Sequence, residues 1–214
     1  MFIVFYVSLQ DNMRYVCQVF FIVFFIFFAR TIFAQSEYPT GLETGVIAPD
    51  FESTDIHGKK IHLYELLKEK PVILFFFRGE YCTGCLKKSS ELQDSIENAF
   101  LNTYSCYMIG VSPETPENIK KYHNTHHYPI IADLNHKIMD SYKTTYKLDE
   151  ATKHVLDLYG TKVGNPNADG TYDMPMPATY LIGQDRHIKV VSFNKNENIT
   201  SKIQYIKTLL SAEK

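Results

Sequence analysis

Apolar and polar positions fall in short blocks along the 214-residue chain, and the blocks predict an α/β fold. Pro71 precedes Val72-Ile73-Leu74-Phe75-Phe76-Phe77, an uninterrupted apolar run. It is too short for a helix and suits a strand covered on both faces, so it is expected at the centre of a sheet. Beyond it, Cys85, Ser89, Leu92, Ile96 and Phe100 recur at helical spacing and mark one face of an amphipathic helix. Tyr107 to Val111 reads as a second buried strand. Pro116 suits the first turn of a helix through Tyr122, where its missing N–H costs nothing. Tyr128 to Ala132 predicts a short strand, and Asn135 is placed to cap a helix through Tyr142.

From 143 to 175 the periodicity lapses into a Lys-, Tyr- and Gly-rich stretch with turn signals at Asn165-Pro166 and Asp169-Gly170, which reads as an insertion. Ala178 to Ile182 and Ile188 to Phe193 then flank Gly183-Gln184-Asp185-Arg186-His187 and predict a hairpin. Ile199, Ile203, Ile206 and Leu210 mark a closing helix. Strand, helix, strand, helix and a final hairpin amount to a central mixed β-sheet flanked by helices.

The first 34 residues follow a different pattern. Val19 to Ala29 reads VFFIVFFIFFA without a charge, after Met13-Arg14 and before Ala34-Gln35. A short basic start, an apolar run and a small residue describe a signal peptide, with Met13 a possible initiator and the mature chain beginning near Gln35. The alternative is an uncleaved membrane anchor, since Tyr15 to Phe33 is nearly long enough to span a bilayer, although Arg30 interrupts it. Either reading exports residues 35–214, to a periplasm or to the outside, as one domain.

Composition narrows the function. The chain is 45% hydrophobic and 21% charged, which excludes a disordered chain and a polytopic membrane protein. Lys and Arg total 22 against 24 Asp and Glu, with no basic block, so nucleic acid is not an expected partner. Nothing calls for a cofactor.

Chemistry concentrates at Cys82-Thr83-Gly84-Cys85, where the buried run hands over to the helix. At a helix's first turn Cys82 meets unpaired N–H groups and the positive end of the dipole, which favour the thiolate. Cys85 lies one turn on along the same face, within reach of a disulfide. Zinc would need a second close pair, which the sequence lacks, and a purely structural disulfide closing so small a loop would stabilise little. Cys106 precedes a buried strand and reads as a core thiol. His123, His126 and His127 close a polar helix and read as surface rather than as metal ligands. Arg78, Glu80 and Lys87 flank the pair, where they either tune its protonation or face water. Asn198-Ile199-Thr200 is a glycosylation sequon in a eukaryotic context only.

Several segments resemble the thioredoxin-fold superfamily, and within it the group of alkyl hydroperoxide reductases and thiol-specific antioxidants, over roughly residues 45 to 211. They are Ala48-Pro49-Asp50-Phe51, His57-Gly58-Lys59, Gly110-Val111-Ser112-Pro113-Glu114 and Ile131-Ala132-Asp133. Phe77-Arg78-Gly79-Glu80-Tyr81-Cys82-Thr83-Gly84-Cys85 resembles the FRGxWCPxC segment of peroxiredoxin-like proteins, and Met176-Pro177-Ala178-Thr179-Tyr180 their PATY strand start. Laid on the peroxidatic motif without gaps, Arg78 replaces its Pro, Cys82 its Thr, and Cys85 takes the reactive position. The family's peroxide-polarising Arg falls at Pro177, which matches the cis-Pro of thioredoxins instead.

The resemblance implies a thioredoxin-like fold with an insertion before a cis-Pro strand. It also implies a thiol-dependent peroxidase in which Cys82 or Cys85 attacks a hydroperoxide, the other closes a disulfide, and a thioredoxin-like protein reduces it. Arg78, Met176 and Pro177 are expected to contact substrate, and helix position favours Cys82 as nucleophile. The alternatives are dithiol-disulfide exchange on client proteins and a non-catalytic binding module.

Overall fold

The computed structural model describes residues 38–77, 105–122, 128–159 and 167–193, together with Gln204, Lys207 and Thr208. Two short strands, β1 (Glu52–Thr54) and β2 (Lys60–His62), pair antiparallel and lead into α1 (Leu63–Leu67). The turn between them is tied by Asp55, whose Oδ1 accepts the His57 and Lys59 N–H groups at 2.9 and 2.8 Å. These elements carry no long apolar run, and the sequence pattern did not announce them.

The centre is a five-stranded sheet in the order β5-β4-β3-β8-β9. It comprises β3 (Val72–Phe76), β4 (Tyr107–Ser112), β5 (Ile130–Ala132), β8 (Ala178–Ile182) and β9 (Ile188–Phe193). β3 runs parallel to β4 and β4 to β5, whereas β8 is antiparallel to β3 and to β9, so the sheet is mixed as expected. Alternate residues of β3 point to opposite faces. Leu74 and Phe76 pack with Leu63, Leu67, Val111, Tyr142 and Tyr180 on one side. Ile73, Phe75 and Phe77 pack with Met108, Ile119, Ile130 and Leu181 on the other. Both faces are therefore core, which is why β3 reads as unbroken apolar sequence; each such side chain contributes about 1.5–3 kcal/mol by burial.

Gly110 of β4 stands opposite Phe75. A Cβ there would lie 3.0 Å from the Phe75 ring and 3.1 Å from that of Phe77, so the missing side chain is what admits the two rings. The buried phenols are satisfied: Tyr142 donates to the Pro49 carbonyl at 2.9 Å, and Tyr180 accepts from the Leu42 N–H at 3.2 Å.

α2 (Pro116–Tyr122) follows β4 over the expected residues. The next helix, α3 (Lys137–Ser141), departs from expectation at its start. Its cap position is His136, in the left-handed region at φ 57°, rather than Asn135. The Met139 N–H is taken by Asp133 Oδ2 at 2.9 Å, while Asn135 accepts only a long 3.4 Å bond from Lys137. The left-handed residue turns the chain so that the carboxylate ending β5 reaches the helix's first turn.

The insertion is more ordered than its composition suggests. β6 (Thr145–Tyr146) pairs with β7 (Met174–Pro175), and between them lies α4 (Glu150–Leu158). Asp149 caps α4 by accepting the Thr152 N–H at 2.6 Å. Leu148 and Met174 form a small core with Tyr146, Leu156 and Tyr172. The Asp169-Gly170 turn is present, with Gly170 at φ +82° and its N–H on the Asn167 carbonyl at 2.9 Å. Of the expected closing helix, Gln204, Lys207 and Thr208 are described, all helical. The leader and the helix expected from Cys85 to Phe100 lie outside the described residues.

Candidate active site

Register decides where the chemistry-bearing segment starts. Phe76 stands opposite Val111 of β4 and Ala178 of β8, and the Phe77 N–H continues the ladder to the Val111 carbonyl at 3.2 Å. The chain thus leaves β3 at the C-terminal edge of the parallel strands, where β8 begins and where open α/β sheets bind ligands. Cys82 and Cys85 follow by five and eight residues. Both, with Arg78, Glu80 and Lys87, lie outside the described residues, as do His123, His126 and His127.

Met176 and Pro177 sit beside this edge. Met176 is buried, its N–H bonded to the Thr144 carbonyl at 2.7 Å, and Pro177 is exposed directly ahead of Ala178. The Met176–Pro177 bond is trans, which corrects the cis-Pro expectation. Trans is favoured for X-Pro by roughly 0.5–1 kcal/mol. Here the chain runs from the β6–β7 pair into β8, and the Met176 bond to Thr144 holds it on that course without a reversal. The thioredoxin-like feature read from Pro177 is therefore absent.

Sequence reasoning assigned no role to the polar groups that finish β4 and β5. Ser112 is fully buried, Glu114 is 2% exposed and Asp133 4% exposed, all at the same sheet edge. The Asp133 N–H donates to the Ser112 carbonyl at 2.8 Å, and the Glu114 N–H to Ser112 Oγ at 3.3 Å. Burial raises the Asp133 pKa, against the lowering effect of the N–H groups of Met139 and Ile138. Their readable signal was position: each polar residue directly follows a buried run at a strand's C-terminal end. Together they finish the sheet edge at which β3 also ends.

Cys106 belongs to the other end of the sheet. It is buried in the cluster around Phe75 and Met108, one residue before β4, and unpaired. Burial pushes its thiol up to about 11, only partly countered by Lys70. Such a thiol is inert at neutral pH. Among the described residues, no three His, Cys, Asp or Glu side chains converge as a metal site.

The AhpC/TSA family model matches residues 44–191. Peroxiredoxin Bcp of Bacillus subtilis is 29% identical over 103 residues, covering 47% of this chain and 64% of the relative. The chloroplastic peroxiredoxin Q of Gentiana triflora is 22% identical over 169 residues, covering 77% of this chain and 66% of the relative. The chain thus spans just under two thirds of the length of each. Among solved structures, peroxidoxin BcpB from Mycobacterium tuberculosis superposes with a TM-score of 0.60 at 21% identity, over 81% of this chain and 99% of that one. The fold is thioredoxin-like.

Proposed function

Since the chain belongs to the AhpC/TSA family, we propose that it is an exported thiol peroxidase that reduces hydrogen peroxide or organic hydroperoxides through Cys82 and Cys85. The end of β3 carries this reading. Phe77 ends at the edge it shares with Ser112 and Pro177, and Cys82 follows by five residues, a chain reach of no more than about 18 Å. Cys106 is buried at the opposite end.

The Cys82 thiolate attacks the peroxide's terminal oxygen, forming an S–O bond and breaking the O–O bond. The leaving oxygen takes a proton and departs as water or an alcohol. The resulting sulfenic acid condenses with the Cys85 thiol, forming the disulfide and releasing water. A thioredoxin-like dithiol then donates two electrons and two protons to restore both thiols. Arg78 stabilises the thiolate, and Met176 and Pro177 border the peroxide's approach.

Stopped-flow oxidation by hydrogen peroxide, run beside insulin-disulfide reduction, tests the proposal. Rapid stoichiometric oxidation with little insulin reduction is expected. Insulin reduction without a peroxide reaction would make the protein a disulfide oxidoreductase instead.

A further inference from the structure

The β1–β2 hairpin is fastened at both ends. Its tip is tied to the sheet by the Ile56 N–H, which donates to the Ile130 carbonyl at 2.9 Å. Its base is tied by side chains. Register sets Glu52 of β1 directly opposite His62 of β2, and Asp50 lies two residues ahead of Glu52. His62 Nε2 stands 2.8 Å from Asp50 Oδ2, and its Nδ1 stands 3.6 Å from Glu52 Oε1. Both ring nitrogens therefore face carboxylates. Asp50 Oδ1 in turn accepts the N–H groups of Phe51 at 2.9 Å and Tyr64 at 3.0 Å. The His62 side chain does not cap α1, so Asp50 takes the Tyr64 N–H of the first turn from across the chain.

We infer that His62 is a pH-sensitive clasp: its protonated imidazole fastens the hairpin base and the start of α1 to the segment at Asp50, and loss of the proton loosens them. The number of donors decides this. An imidazolium carries an N–H on each nitrogen and serves both carboxylates, whereas a neutral ring has one N–H and one lone pair. Losing the proton thus breaks one of the two pairs and sets a lone pair against a carboxylate. Hydrogen bonds between charged partners are also the stronger ones, so the pair that remains is weakened.

The groups that face His62 from its neighbouring elements are acids: Asp50 ahead of β1, Glu52 on β1, and Glu65 on α1, itself paired with Lys68 at 2.6 Å. The bond to Asp50 raises the His62 pKa most, burial works against it, and Glu52 and Glu65 add to the rise. A raised folded pKa makes the clasp's contribution complete below the ordinary value of 6.5 and lost as pH climbs through the raised one. The side chains of His62 and Asp50 are 31% and 34% exposed, so salt screens the pair and the loosening is local. The β1–β2 ladder and the Leu63 N–H, bonded to the Phe51 carbonyl at 3.1 Å, contain no titrating group and hold at either pH. The inference stands independently of the peroxidase reading.

Nuclear magnetic resonance of the full chain, with labelled histidine rings and backbone amides, follows the clasp between about pH 5 and 9. The His62 ring is expected to titrate with a midpoint above 6.5, and the Phe51 and Tyr64 amides to shift with that same midpoint. His62→Gln identifies the ring signal among the eight histidines and should abolish the shared amide transition. Glu52→Gln, a change at an exposed side chain, should lower the midpoint. Asp50→Asn should lower it further while keeping an acceptor for the Tyr64 N–H. High salt should lower it as well. A ring that titrates while both amides stay still overturns the inference. So does a midpoint at or below 6.5, or an amide transition that survives in His62→Gln. Should Asp50→Asn misfold, Glu52→Gln decides alone, and an unmoved midpoint there overturns the clasp.

Discussion

The two ends of the β3–β4 pair treat a cysteine in opposite ways. Upstream of β4, Cys106 is sealed beneath Phe75 and Met108, and its thiol is pushed up to about 11. Downstream of β3, Phe77 ends at an edge bordered by exposed Pro177, and Cys82 and Cys85 follow it in sequence by five and eight residues. Parallel pairing puts both strand starts at one edge and both strand ends at the other. Residue type therefore says little about redox role, whereas the edge to which a thiol belongs says much: one desolvates it, and the proposed function places the working pair beyond the other.

The largest expected effect separates the ends by activity. Cys82→Ser should reduce peroxide consumption to the uncatalysed rate, while Cys106→Ser keeps it and costs about 1 kcal/mol in urea unfolding, as a substitution in a packed site does. Equal losses of activity in both variants would erase the contrast.

Alkylation sharpens it. With a thiol near 11, about one Cys106 in a thousand is ionised at pH 8. Iodoacetamide should therefore label the Cys82–Cys85 pair long before Cys106, with mass spectrometry as the readout. The same shift has a stability consequence with a definite sign. The folded pKa lies above the unfolded one, so the contribution is present below about pH 9 and lost as pH rises through 11. Two pKa units correspond to about 2.7 kcal/mol. Urea midpoints should fall over that window in the native chain and stay flatter in Cys106→Ser.

At the downstream edge, Asp133→Ala should cost about 1 kcal/mol through the lost cap on α3. Asp133→Asn keeps an acceptor for Met139 and should cost less. Because burial raises the Asp133 pKa, its favourable contribution is present at acid pH and lost as pH rises through the carboxylate range. Asp133→Asn should flatten that decline in thermal unfolding between pH 3 and neutrality.

How much of this was legible in sequence depended on burial. β3, β4 and the β8–β9 hairpin write their environment as apolar runs, because strands covered on both faces leave no polar alternation to misread. β1, β2 and α1 are short and half-buried, and went unread. α4 hid because it sits in a stretch rich in turn-forming residues, although Asp149 ahead of Thr152 was a readable cap. Pro177 was read as matching a cis-Pro, and its peptide bond is trans, an isomer choice that local sequence does not fix. The Cys82-Thr83-Gly84-Cys85 pair was proposed from spacing and lies outside the described residues. Ser112, Glu114 and Asp133 became meaningful only once register brought their strand ends together.

The most direct measurement is disulfide mapping of Cys106→Ser after one equivalent of hydrogen peroxide. An intramolecular Cys82–Cys85 disulfide, formed at the rate of peroxide loss and reversed by a thioredoxin-like dithiol, is the predicted result. Peroxide loss without that disulfide, or its disappearance when Cys106 is removed, would contradict the assignment and make Cys106 a working thiol despite its burial.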